Sequence, residues 1–522
     1  MSPATSLHST TGTIAGYARK LTHGRPDLNI VLDNHHDGQI YSTLDAIKGR
    51  VELTTPYNTR FDEIRITFEG TTKTYVERVT PSSTRARVSA VQNFLTLAMP
   101  IRDSVYPQPR MAEAGQTYKF EFNFVVPEQL LLRACAHKIS NAHVRDAHLQ
   151  VPPSLGDREI SGSDDLAPDS AKIQYGVKVR VIKNLEKDGQ EQVLVEGVKK
   201  LHVVSAVQEA PPLSLGGGYE DYVCTQTKCL KKRMFSGKLG RITVSAAQPG
   251  ALVLPAPALS GNVPPTTMVT VKLRFDPHEA ASRPPRLGAL STKIKSATFY
   301  SARPAQLLPT YTNMISQYET TRGLYNTSIS LSSRCVESVA WKRQEPTQPA
   351  GRRNSDSSTS SSDISDATPI PGQKDSSSPF YTATILVPIN LPQHKTWIPS
   401  FHSCIVSRVY AIDICLSVHT PGTGVPATSL ALQLPVQIAA DGNQTERAAL
   451  TAAEAAAELA DANLFLAPGV IEIPSEEFVG NSRVLRPAPA PASHAHAHSA
   501  SELPPSYEDF VRQPAVVDPG KC

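Results

Sequence analysis

Residues 115–127 read GQTYKFEFNFVVP. Tyr118, Phe120, Phe122, Phe124 and Val126 alternate with Lys119, Glu121 and Asn123. A period of two puts five apolar side chains on one face of an extended strand and the polar ones on the other. The same alternation recurs at Ile64, Ile66 and Phe68 against Glu63, Arg65 and Thr67. It returns at Ile173, Tyr175, Val177, Val179 and Val181 against Gln174, Lys178 and Arg180. Period-two patterning runs from about residue 28 to residue 440, with turns of the Lys187-Asp188-Gly189-Gln190 kind between strands. Helical periodicity is nearly absent there, so sandwiches or barrels are favoured over a parallel α/β sheet.

An echo divides the region. The strand Tyr118 to Val126, stopped by Pro127, leads through Pro153-Ser154-Leu155 to a strand at Tyr175. Tyr381 to Val387, stopped by Pro388, leads through Pro399-Ser400-Phe401 to a strand at Tyr410. One domain type used twice accounts for this order. The first copy carries a longer polar insert around residues 156–170. The expected organisation is all-β, with two tandem immunoglobulin-like sandwiches. A flexible N-terminus spans 1–26, a first domain 27–212 and a second 219–480. Leu215-Gly216-Gly217-Gly218-Tyr219 reads as the joint. Residues 345–379 are almost entirely Ser, Asp, Pro, Thr, Gly and Arg, a composition that cannot bury a core and reads as a disordered loop. An Ala-rich helix is expected over 445–464, lying on the domain, and a disordered tail over 481–522.

With 40% hydrophobic and 19% charged residues among 522, the chain is globular with polar inserts rather than wholly unfolded. A net charge of +4, from 52 basic and 48 acidic side chains, provides no global field for nucleic acid. No run approaches the roughly 18 apolar residues of a membrane span, and Met1 to Lys20 lacks a secretory core. A soluble, cytoplasmic protein with at most peripheral membrane association is expected. The seven cysteines show no pairing rhythm, and Cys224 and Cys229 fit no zinc knuckle. Reduced thiols, no metal and no cofactor are expected. His494, His496 and His498 read as tail composition, and Asn34 to Asp37 as a turn before Gly38. No phosphate loop, nucleophile elbow or H-E-x-x-H pair stands in a convincing setting, so the chain is not read as an enzyme.

Three stretches carry binding chemistry. In Leu503-Pro504-Pro505-Ser506-Tyr507-Glu508 two prolines pre-set a polyproline II backbone and Tyr507 supplies a ring. A WW domain recognises this combination, with Pro504 and Pro505 between aromatic walls, Tyr507 in a neighbouring groove, and Leu503 and Glu508 as flanks. Lys228, Lys231, Lys232, Arg233, Lys238 and Arg241 form a basic cluster. It reads either as a lysine-protected sheet edge or as a contact for anionic lipid or a phosphorylated cargo tail. Arg352-Arg353-Asn354-Ser355 has the pattern basophilic kinases prefer, and phosphate on Ser355 would create a dock for a phosphoserine-binding adaptor.

Taken as an ordered set, several segments resemble those of the α-arrestins, the fungal-type arrestin-related trafficking adaptors. They are IYSTLDAIKGRV (40–51), EIRITFE (63–69), GQTYKFEFNFVVP (115–127), Tyr175–Val181, GKLGRITVSA (237–246), Ser400–Val418 and LQLPVQI (432–438), followed by the Pro-Pro-x-Tyr tail. The resemblance implies arrestin N and C domains. It also implies an adaptor that recruits a HECT-type ubiquitin ligase of the Nedd4 class through Pro504, Pro505 and Tyr507. Membrane transporters or receptors would be its cargo, ubiquitylated and endocytosed at the plasma membrane and endosomes. A sorting or pH-signalling scaffold that works without the ligase is the alternative. Many relatives carry several such motifs. Here Pro152-Pro153-Ser154-Leu155 and Pro211-Pro212-Leu213-Ser214 lack the tyrosine, so one WW contact stands without avidity.

Overall fold

The structure, a computed structural model, describes residues 24, 26–79, 85–184, 191–207, 221–232, 237–256, 264–314, 321–345, 379–420 and 426–441. By its packing the chain forms one compact unit over Met1–Ala457, and the remaining unit, Glu458–Cys522, has no described residues. The joint at 215–219, nearly all of the 345–379 insert and the 445–464 segment also lie outside the described residues.

The strands pair as two β-sandwiches. In the first, Asp27–Leu32, Ala46–Thr54 and Thr117–Val125 form a three-stranded sheet. Its partner sheet runs in the order Ile40–Ser42, Glu191–Val204, Ala171–Asn184, Glu63–Val79, Arg85–Ala98. Inward alternation explains the pairing: Ile64, Ile66, Phe68, Phe120, Phe122, Phe124, Tyr175, Val177 and Val179 are all at most 5% exposed and share one core. Burying each such side chain is worth about 1.5–3 kcal/mol. That gain holds the register, because a one-residue slip would turn every one of them to water.

The second sandwich repeats the order. Lys238–Ala246, Thr266–Pro277 and Phe380–Asn390 are consecutive in one sheet, extended by Thr225–Lys231 and Lys342–Gln344 at its edges. In the other sheet Thr428–Val436 pairs with Val406–His419, then come Arg286–Ser301 and Arg322–Cys335. Ile385, Val387, Tyr410, Ile412, Ile414 and Leu416 fill its core.

The Pro-Ser echo has a structural reason. The Tyr175 hydroxyl donates to the Pro152 carbonyl, and the Tyr410 hydroxyl donates to the Ile398 carbonyl at 3.0 Å. Ser154 then exchanges hydrogen bonds with the backbone of Val203, its Oγ accepting at 3.0 Å. Ser400 does the same with Ile438, again at 3.0 Å. In each sandwich a tyrosine and a serine thus lash the incoming segment to the sheet, satisfying buried polar groups as they do so.

One expectation needs correction. Pro388 does not end its strand, which continues to Asn390, with Met268 opposite Pro388. Among the described residues, Lys342–Gln344 covers the other side of that strand only from Phe380 to Thr382, so no described ladder partner there demands an amide donor from Pro388. The insert at 156–170, polar in sequence, is built into the core. Asp157, Asp165, Leu166 and Ala167 are buried, and Leu166 belongs to the core of the second sandwich. Its buried Asp165 serves the backbone, accepting from the amides of Gly156 at 2.6 Å and Ala167 at 3.1 Å.

Candidate functional site

The described residues converge on the seam between the sandwiches. Arg408, on the strand Val406–His419, is fully buried. Its guanidinium reaches the 156–170 segment and donates to the carbonyls of Asp165 and Leu166, each at 3.1 Å. Its Nε donates to Thr298 Oγ1 at 2.9 Å, and Nη1 lies 3.4 Å from the Tyr410 hydroxyl. A buried cation is tolerated when its donors are all directed at acceptors, and the fork of an arginine suits two neighbouring carbonyls. Nearby, Lys395 Nζ pairs with Asp164 at 2.9 Å, and Lys395 is the main reason the Asp164 carboxyl sits below its usual range. Thr74 Oγ1 donates to the Ser301 carbonyl at 2.7 Å. Ile398, Phe401, Ile405 and Val406 meanwhile pack into the first sandwich's core. Charge, hydrogen bonds and apolar packing therefore all cross the seam.

Burial governs the shifted groups here. It pushes the Tyr175 and Tyr410 phenols up, keeping them as neutral donors. It pulls His202 down, against opposing pulls from Asp165 and Asp157. His402 and His148 are lowered to about 4, again chiefly by burial. A cavity of about 340 Å³ opens beside the seam, lined by Phe299, Arg303, Leu307, Asn313 and Cys404 among others.

The basic cluster is divided by the fold. Lys231 and Lys238 are exposed and directly opposite on paired strands, because a register shift follows Leu230. Arg241 is exposed on the same strand as Lys238, opposite Cys229. Like charges facing across a ladder cost stability, so the pairing is not explained by sheet energetics. Lys228 turns towards the facing sheet and donates to the Ser429 carbonyl at 2.6 Å, while Lys232 pairs with Glu279 at 3.2 Å. Arg233 lies outside the described residues, as do Ser355 and the whole segment Leu503, Pro504, Pro505, Tyr507 and Glu508.

Sequence reasoning missed a group of four. Cys135 ends the short helix Leu132–Cys135, His137 follows it, His148 lies on the helix Ala142–Leu149, and Cys404 precedes the strand Val406–His419. One ligand-capable atom from each lies within 4.8 Å of all the others. Cys135-Ala136-His137 was the visible signal, but the fourth member stands 267 residues beyond His137 (404 − 137), and only the fold brings it in.

Residues 28–196 match the family model described as "Arrestin (or S-antigen), N-terminal domain". That span covers the strands of the first sandwich up to the early part of Glu191–Val204. The matched span is similar to an arrestin N-terminal domain, and the chain is all-β and built on sandwiches. A comparison with curated proteins gives no match.

Proposed function

We propose that this chain is a ubiquitin-ligase adaptor. The sandwiches would hold the cytosolic tail of a membrane transporter or receptor, and Leu503-Pro504-Pro505-Ser506-Tyr507-Glu508 would engage the WW domains of a HECT-type ligase. One observation carries the reading: a chain whose residues 28–196 match an arrestin N-terminal domain also holds a Pro-Pro-x-Tyr string far from both sandwiches in sequence. A short motif read in extended form leaves the folded part free for a second partner. Lys231, Lys238 and Arg241 would steer the adaptor to anionic membrane, each charge adding about 1 kcal/mol near such a surface. Phosphate at Ser355 would add an acidic dock for a phosphoserine-reading protein.

The test is calorimetric titration of the full chain with a WW domain of a Nedd4-class ligase. Binding with Kd on the order of micromolar, corresponding to about −8 kcal/mol, is expected, and Tyr507→Ala should abolish it. Equal binding by both chains, or none by either, would remove the ligase and favour a sorting scaffold.

A further inference from the structure

The four residues that the fold gathers at the seam have the chemistry of a soft-metal site. His137 Nε2 lies 3.4 Å from Cys135 Sγ, and His148 Nδ1 lies 3.6 Å from the same sulfur. A tetrahedral zinc, with Zn–S of about 2.3 Å and Zn–N of about 2.0–2.1 Å, sets sulfur–nitrogen separations of about 3.6 Å. Both imidazoles can offer a lone pair to the same point. The Nδ1 of His137 is 3.1 Å from the Lys138 carbonyl, which fixes the proton there and leaves the Nε2 lone pair aimed at the cluster. His148 is 1% exposed and presents Nδ1 to the Cys135 sulfur, so with the proton on Nε2 its lone pair is also directed at the cluster.

We propose that Cys135, His137, His148 and Cys404 form a tetrahedral zinc site that pins the second sandwich to the first. Zinc is favoured over harder cations because two thiolates and two imidazoles are soft donors in a four-coordinate set. Binding forms two Zn–S and two Zn–N bonds. The two thiol protons go to solvent, and the site ends neutral, as burial requires. His137 is only half-buried, giving a hydrated ion a way in. Three ligands come from one excursion of the first sandwich and Cys404 from the second, so the ion would bridge the same seam as Arg408.

The experiment is elemental analysis of the full chain purified without chelator, which should give about one zinc per chain. Cys404→Ser and His148→Ala should fall below a tenth of that. His143→Ala, on an exposed position of the same helix, should retain it. Should the variants fail to fold, the wild-type chain exchanged into cobalt decides: visible bands of a tetrahedral, thiolate-ligated cobalt support the site. Wild-type chain with no zinc and no such bands overturns it. So does a Cys135–Cys404 disulfide in chain isolated with its thiols trapped.

Discussion

Arg408 shows how one side chain can answer for an interface. Its two seam acceptors are backbone carbonyls, so they cannot be repaired by a compensating side chain elsewhere. Arg408→Met keeps the length and removes the donors, and should cost about 1–3 kcal/mol for each carbonyl it orphans. Urea denaturation measures this, and an unchanged midpoint would mean that water replaces the guanidinium without loss. His202 is buried with its pKa below the ordinary 6.5. Burial causes the shift, and Asp165 and Asp157 oppose it, the latter itself paired with Lys200 at 3.3 Å. Below pH 6.5 the unfolded chain therefore binds a proton that the folded chain resists. Stability from this group is full above that pH and is lost as pH falls. His202→Gln should make the loss of stability between about pH 7 and about pH 5 shallower, as read from denaturation midpoints at each pH.

At the scale of elements, the strand Arg85–Ala98 bulges at Phe94, which is skipped where Gly70 and Thr71 of Glu63–Val79 pair with Leu95 and Asn93. A Cβ on Gly70 would stand 2.5 Å from the Phe94 ring and 3.0 Å from that of Tyr175. Those two rings meet edge to face at 5.5 Å, so neither can move away freely. Gly70→Ala should destabilise by about 1–3 kcal/mol through this overpacking, visible as a lowered thermal midpoint. Strands were the legible part of the sequence because their period of two survives at every level. The paired Pro-Ser segments were legible too, since both copies solve one problem with the same residues. The burial of the 156–170 segment was not, because its acids are matched by backbone amides and by lysines distant in sequence, and composition alone cannot separate that from solvation. Pro388 misled for a similar reason: an edge position is a property of the neighbours, and no local residue announces it. The Cys-x-His signal was present, but a site completed across the seam has no spacing to read.

On the scale of the whole molecule, the proposed adaptor would join a folded part to the Pro-Pro-x-Tyr string at Pro504 to Tyr507. The two sandwiches share a strand order, a pair of tyrosine anchors and a seam crossed by Arg408 and apolar packing. No described helix is long and apolar enough to cross a membrane. The proposed adaptor would bring two partners together. Its effect depends on holding two partners at once, so damage to either end should give the same outcome in the cell. The most direct measurement is a quantitative comparison of ubiquitin-modified membrane proteins in cells carrying the wild-type chain, the Tyr507→Ala variant or no chain. The account predicts that a common set of membrane proteins loses ubiquitin, and is retained at the surface, in both the variant and the deletion. If the deletion changes that set while Tyr507→Ala leaves it intact, the ligase-adaptor account is contradicted.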